Sequence, residues 1–130
     1  MNNVLNKIFN FFIIFLCISC STNEKIMPAE DALDAIRMYK NAYQNGNFEK
    51  AKFYCINDEP NKIKLDTIFK KYQQLSNSEK TQLKSESIII LNNRIIDEKN
   101  AQIIISNKLL VSNDTFNVVK SNNVWLIKLY

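Results

Sequence analysis

Apolar residues along this chain recur first at helical spacing and then at strand spacing. From Pro28 to about Lys84 they return every three or four residues, as in helices that bury one face. From Ser85 onward they form short runs separated by Asn- and Asp-rich segments, which is typical of antiparallel strands. The pattern therefore predicts an α+β fold, with N-terminal helices packed on a four-stranded antiparallel sheet.

Four helices are predicted in the first part. The first begins at Pro28–Asp31, because proline and acids favour a helix N-terminus, and ends at Asn45-Gly46. Asn47 is expected to cap a short second helix. Ser76–Glu79 is a capping box that opens a short fourth helix. The third helix carries an apolar stripe at Leu65, Ile68, Phe69, Tyr72 and Leu75.

Four strands are predicted in the second part, over residues 88–96 with a bulge near Asn92-Asn93, 101–111, 115–120 and 124–130. They are joined by turns at Asp97–Asn100, Asn113-Asp114 and Asn122-Asn123. Two-residue loops at the last two turns bring one set of apolar residues to a single face. That face, which we expect to pack on the helices, carries Ile103, Ile105, Leu109, Val111, Phe116, Val118, Trp125, Ile127 and Leu129.

The first twenty residues have the features of an export signal. Lys7 precedes an apolar run from Ile8 to Ile18 that is broken only by Asn10. The run is shorter than the roughly 20 residues that cross a bilayer, and it has the length of a signal-peptide hydrophobic region. An aliphatic residue, a small residue and a cysteine follow, at Ile18-Ser19-Cys20. This ending resembles the lipobox of bacterial lipoproteins, although Cys17 stands where that motif most often has leucine.

The lipobox resemblance implies cleavage between Ser19 and Cys20 and a diacylglyceryl group on the Cys20 sulfur. Residues 1–19 are then a signal peptide, 20–27 a lipidated tether and 28–130 the folded domain. We expect a lipid-anchored protein of the bacterial cell envelope, at the outer membrane, with its domain in the periplasm or at the cell surface. Each buried CH₂ of such an anchor contributes about 0.8 kcal/mol. An ordinary secretory signal, or an N-terminal helix that is not cut, remains the alternative.

Composition removes several classes of function. The chain has no His and a single Gly, which excludes His-based triads and Gly-rich phosphate loops. The 17 basic residues are scattered and only Arg37 and Arg94 are arginines, so we expect no nucleic-acid partner. Cys55 is the one cysteine after the signal region, so the domain has no internal disulfide, and we expect Cys55 to be buried. We predict neither a metal site nor a cofactor.

Three segments of the domain follow one another in a characteristic order. Residues 32–51 contain a helix, a Gly turn and a second helix; residues 72–80 precede the first strand; Asn122–Ile127 closes the sheet with a turn-x-Trp-x-Ile pattern. Their order resembles that of small bacterial lipoproteins with a nuclear-transport-factor-two-like domain of unknown function. The resemblance covers roughly Pro28 to Tyr130. It implies a cone-shaped fold with a curved sheet and a pocket between sheet and helices.

Candidate residues for that pocket are the aromatic side chains Tyr39, Phe69, Tyr72 and Trp125, for which plain core packing is the simpler role. Enzymes of the superfamily pair a carboxylate base with a hydroxyl or carboxyl donor. Asp34 and Asp66, together with Tyr43 and the two tyrosines above, are the nearest equivalents here. No spacing singles out a pair, and the predicted inner face of the sheet carries no acid, so we predict no catalytic residue.

The expected function is that of a membrane-anchored, non-enzymatic binding or accessory domain whose ligand the sequence does not identify. An isomerase- or dehydratase-type enzyme that uses the pocket is the alternative. The outer face of the sheet is unusually apolar, since Leu110, Val119 and Leu126 alternate with polar residues. Either these residues are simply exposed, or the face contacts a second copy of the chain or another envelope protein.

Overall fold

Helices precede strands in the folded part of the chain. The computed structural model describes residues 25–107 and 112–130, so the predicted signal peptide and Cys20 lie outside the described residues. The helices are α1 (Ala32–Gln44), α2 (Phe48–Phe53), α3 (Glu59–Gln74) and α4 (Asn77–Ser85), and the strands are β1 (Ile89–Ile95), β2 (Asn100–Asn107), β3 (Ser112–Ser121) and β4 (Val124–Lys128). The strands form one antiparallel sheet in the order β1-β2-β3-β4, which confirms the α+β class.

Side-chain caps set where the helices begin. Asn47 caps α2 as predicted, and Ser76 and Glu79 form the predicted capping box of α4. The predicted start of α1 at Pro28 is wrong, because the helix begins at Ala32. The carboxylate of Asp31 accepts a hydrogen bond from the Asp34 backbone N–H at 2.8 Å, and the extended backbone at Asp31 separates the helix from the preceding residues.

The turn after α1 requires glycine. Gly46 has a φ of 70°, in the left-handed region where L side chains are strained. A Cβ atom at this position would lie 2.9 Å from the Tyr72 hydroxyl of α3. Gly46 therefore ends α1 and also permits the close approach of α3, in agreement with the predicted end at Asn45-Gly46.

The predicted register of the last hairpin is confirmed. Val118 pairs with Ile127, and Lys120 with Trp125. The turn residues Asn122 and Asn123 both have positive φ, as a two-residue turn of the I′ type needs. In the first hairpin, the register shifts between Ile90 and Asn92, next to the predicted bulge.

The predicted turn at Asn113-Asp114 is wrong, because both residues lie within β3. Asp114 pairs with Ile105, and the pairing of β2 and β3 continues to Asn107 and Ser112. Residues 108–111 connect these ends and lie outside the described residues, as do the predicted face residues Leu109 and Val111.

The wrong turn position changes which residues of β2 and β3 pair, but it does not change which residues share a face of the sheet. Phe116 pairs with Ile103 instead of Val111, which moves the register by an even number of residues. Because side chains alternate across a strand, an even shift keeps every residue on its face. The buried sheet residues are Ala101, Ile103, Ile105, Phe116, Val118, Trp125 and Ile127. Helix α1 packs against them from one side, contacting β2, β3 and β4. Leu129, beyond the end of β4, is only half-buried.

A short segment after α2 covers the outer edge of β4. The Ile127 backbone N–H donates to the Tyr54 carbonyl at 2.8 Å, and the Ile56 N–H donates to the Ile127 carbonyl at 3.0 Å. Cys55, between them, is buried as predicted, although it lies beyond the end of α2. Burial raises the pKa of its thiol to about 12.

Asn61 joins this covering segment to α3 and to the C-terminus. It is fully buried. Its amide Nδ2 donates to the Ile56 carbonyl at 3.0 Å, and its Oδ1 accepts from the Leu129 N–H at 2.8 Å.

The outer face of the sheet is less buried than the inner face. Val119 and Leu126 are half-buried, and Leu110 lies outside the described residues.

Candidate functional site

A cavity of about 440 Å³ opens between α1, α3 and β3. We call it the helix–sheet cavity. Its size lies within the range of pockets that hold small molecules. The side chains that line it are Tyr39, Lys40 and Tyr43 from α1, Lys64, Ile68 and Lys71 from α3, Asn113, Asp114, Thr115 and Phe116 from β3, and Leu129 near the C-terminus.

Aromatic rings form one wall of the cavity. Tyr39 and Tyr43 are four residues apart on α1, so they lie on one side of the helix and stack with their ring centroids 6.5 Å apart. Tyr39 also meets Phe116 of β3 edge-on at 6.0 Å. The phenol of Tyr39 is buried between helix and sheet, with only 3% of the residue exposed.

A lysine and a carboxylate meet inside the cavity. The Lys40 Nζ lies 3.8 Å from the Asp114 Oδ2 and 5.8 Å from the centre of the Tyr43 ring. Lys40 is buried, and burial lowers the pKa of its ammonium below the ordinary value, while the attraction of Asp114 opposes that shift. The pair gives the cavity a polar end beside its aromatic wall.

Asp114 corrects the prediction that the inner face of the sheet carries no acid. It lies two residues before Phe116 and pairs with the buried Ile105, so it shares the inner face with both. Asp114 escapes prediction from the sequence because Asn113-Asp114 has the composition of a tight turn. The spacing of Asp114, Phe116 and Val118 at every second residue does indicate a shared face. That pattern applies to Asp114 only if β3 begins as early as Ser112.

The four aromatic candidates for the pocket occupy different places. Tyr39 lines the helix–sheet cavity. Phe69 stacks on Phe48 with ring centroids 4.3 Å apart, and it lines a separate groove between α2 and α3. Tyr72 packs edge-on against Phe48 at 5.1 Å. Trp125 is buried on the inner face of the sheet, with the Lys120 Nζ 5.7 Å from its ring.

The helix acids that were considered as bases lie away from this cavity. Asp34 accepts a hydrogen bond from the Glu30 N–H at 3.1 Å in the first turn of α1. Asp66 lines the groove between α2 and α3. Among the described residues, no group of three His, Cys, Asp or Glu side chains comes close enough together to hold a metal ion.

Tyr39 makes the stability of the domain sensitive to alkaline pH. Burial raises its pKa far above the ordinary value of 10.0. Above pH 10 the unfolded chain therefore loses this proton while the folded chain keeps it, so stability falls by about 1.4 kcal/mol per pH unit for this group. We expect Tyr39→Phe to lose less stability than the wild type between pH 9 and pH 11, as measured by urea unfolding.

The exposed Tyr130 provides the control for this measurement. Its hydrogen bond to Asp58 also raises its pKa, but the hydroxyl is not buried, so Tyr130→Phe should change the alkaline loss much less. Lys40 is present in all three proteins, so its own titration cancels in the comparison. Parallel losses in the wild type and Tyr39→Phe would contradict the burial of the Tyr39 hydroxyl.

Comparisons of this chain with protein-family models, with curated proteins and with solved structures found no match. Within residues 25–107 and 112–130, no helix has the length and apolar character needed to cross a membrane. The helix–sheet cavity and the predicted lipidation at Cys20 are therefore the two features from which a function can be inferred.

Proposed function

We propose that this chain is a lipid-anchored binding domain of the bacterial cell envelope that holds a small anionic ligand in the helix–sheet cavity. The lipobox supports the anchor, with Cys20 as the lipidated residue. The observation that carries the binding role is the charge of the cavity lining. Among the described residues that line the cavity there are three lysines, Lys40, Lys64 and Lys71, and one acid, Asp114.

The positions of the lysines fit an anion that also has an apolar body. Lys64 and Lys71 are seven residues apart on α3, so they lie on the same side of that helix, two turns apart. Lys40 contacts Asp114, whereas Lys64 and Lys71 are exposed at the rim of the cavity, where they can contact a ligand. Tyr39, Tyr43, Phe116 and Ile68 supply an apolar wall. A carboxylate, sulfonate or phosphate attached to a flat ring matches both features.

The cone-shaped, nuclear-transport-factor-two-like architecture is part of the same proposal. It is supported by α1 lying across the inner face of β2, β3 and β4 and by the cavity between helices and sheet. In such an arrangement the ligand enters at the end of the sheet where Asn113 and Thr115 lie.

An enzyme of the isomerase or dehydratase type is the second candidate, and Asp114 is the specific observation that favours it. The Asp114 carboxylate lies on the inner face, beside the tyrosines of the cavity, where a base is needed. The Lys40 ammonium at 3.8 Å engages that carboxylate, which fits a binding role better. Asp114→Asn separates the two roles, because it strengthens anion binding in a binding domain and abolishes turnover in an enzyme.

Two dyes of similar shape test the binding role. Anilinonaphthalene sulfonate is anionic, and phenylnaphthylamine is its neutral counterpart. We expect the anionic dye to bind more tightly, and Lys64→Gln/Lys71→Gln to weaken its binding about tenfold while the neutral dye is unaffected, since each lost charge contributes about 0.5–1 kcal/mol. Dye fluorescence titrations give both dissociation constants.

The matched control is Lys62→Gln/Lys70→Gln, which removes two charges from the same helix. These lysines line the groove between α2 and α3 and not the helix–sheet cavity. An equal loss of anionic dye binding in both double variants would mean that net charge, and not this cavity, governs binding.

A further inference from the structure

The predicted tether enters the domain beside an opening that adjoins the groove between α2 and α3. Ile26 is the second described residue, and it lines an opening of about 500 Å³ together with α2 and the start of α3. The neighbouring residues in that opening include Lys52, Phe53, Asn57 and Lys62. We call Ile26, Met27, Lys52, Phe53 and Lys62 the tether-root face.

Two large apolar side chains on this face are exposed. Met27 is 58% exposed and Phe53 is 41% exposed. Both are held by the buried Tyr54: its ring meets the Phe53 ring edge-on at 5.3 Å, and its hydroxyl donates to the Met27 carbonyl at 3.0 Å. The backbone of Met27 and the ring of Phe53 are therefore both held by the same buried residue.

The length of the tether limits how far this face can lie from the lipid. Five residue steps separate Cys20 from Lys25, and an extended chain covers at most about 18 Å in five steps. A domain attached through Cys20 must therefore keep Lys25, the residue just before the tether-root face, within about 18 Å of the bilayer.

The charges around the face suit a lipid surface. Lys25, Lys52 and Lys62 are exposed, and Glu49 is the acid that lines the same opening. Lysines that flank exposed apolar side chains are typical of segments that lie at the boundary between headgroups and acyl chains.

We propose that the tether-root face rests on the membrane that holds the anchor, with Met27 and Phe53 at the headgroup boundary and the lysines against anionic phospholipids. This inference rests on the lipid anchor of the proposed function. It also places the ligand site. Lys62 of α3 lies on the membrane face, whereas Lys64 and Lys71 lie on the other side of the helix, so the helix–sheet cavity opens away from the bilayer.

A fluorescent label next to the face tests this orientation. The mature lipoprotein with Asn57→Cys is labelled with a nitrobenzoxadiazole group at pH 7, where the buried Cys55 stays protonated and unlabelled. It is then placed in liposomes of phosphatidylcholine and phosphatidylglycerol that contain a nitroxide-labelled phospholipid. We expect the nitroxide-labelled phospholipid to lower the fluorescence of the label at position 57 by at least about twofold, because the label lies near the headgroup boundary. A label at Asn93→Cys, on the opposite edge of the sheet, should be quenched far less.

Replacing the apolar side chains separates a docked face from simple tethering. Met27→Ser, or Met27→Ser/Phe53→Ser, should lower the quenching at position 57 to the level at position 93, and circular dichroism checks that each variant is folded. Unchanged quenching in both variants, or equal quenching at positions 57 and 93, would overturn the proposal. Liposome flotation and intact mass are recorded first, because a chain without lipid would not float, and that result would contradict the anchor itself.

Discussion

Replacing Trp125 with alanine should destabilise the domain by about 3–5 kcal/mol, because a large aromatic side chain is removed from the core and the cavity left behind is only partly filled. Trp125 is 9% exposed on the inner face of β4. A domain of this size has only about 5–15 kcal/mol of stability in total. Urea unfolding of the lipid-free chain, followed by circular dichroism, measures the loss.

Leu126, the next residue of β4, is the matched control. It points to the outer face and is half-buried, so Leu126→Ala should cost less than half as much as Trp125→Ala. A loss below about 1 kcal/mol for Trp125→Ala, or a larger loss for Leu126→Ala, would mean that the two faces of β4 are assigned the wrong way round.

Cys20→Ala should abolish lipidation and release the protein from the membrane. In the predicted lipoprotein, the thioether to the diacylglyceryl group forms on this sulfur, and the acyl chains supply the binding energy of the anchor. The variant should accumulate with its signal peptide uncut or appear as a lipid-free form. Partitioning between detergent and water, together with intact mass, detects either form.

Cys17 provides the matched control, since it lies three residues before Cys20 and is removed with the predicted signal peptide. Cys17→Ala should be processed and lipidated like the wild type. If Cys20→Ala still partitions fully into detergent with the mass of the wild-type protein, the anchor at Cys20 is wrong.

Local sequence chemistry predicted the elements that depend on neighbouring residues. The capping box at Ser76 and Glu79, the asparagine cap at Asn47 and the turn at Asn122-Asn123 each need only a few adjacent side chains. The start of α1 is predicted too early, because two neighbouring residues carry the same local signal. Pro28 and Asp31 are both good signals for a helix N-terminus, and the hydrogen bond from the Asp34 N–H to Asp31 decides between them.

The helix–sheet cavity depends on contacts between distant residues, and much of it was missed. Asn113-Asp114 has the composition of a tight turn, but the pairing of Ile105 with Asp114 extends β3 through it. The contact of Lys40 with Asp114 joins α1 to β3 and becomes visible only with that register. The helical apolar stripe predicts which face of α1 carries Tyr39, and that residue lines the helix–sheet cavity. The positions of Phe69 and Tyr72 depend on the packing of α2 against α3.

The most direct test of the account is to map where the anionic dye binds. Amide signals of the ¹⁵N-labelled lipid-free chain are followed by nuclear magnetic resonance during titration with anilinonaphthalene sulfonate. We expect the largest shifts at Tyr39, Lys40, Tyr43 and residues 113–116. Shifts concentrated at Glu49, Lys62 and Phe69, in the groove between α2 and α3, would contradict the assignment of the helix–sheet cavity as the ligand site.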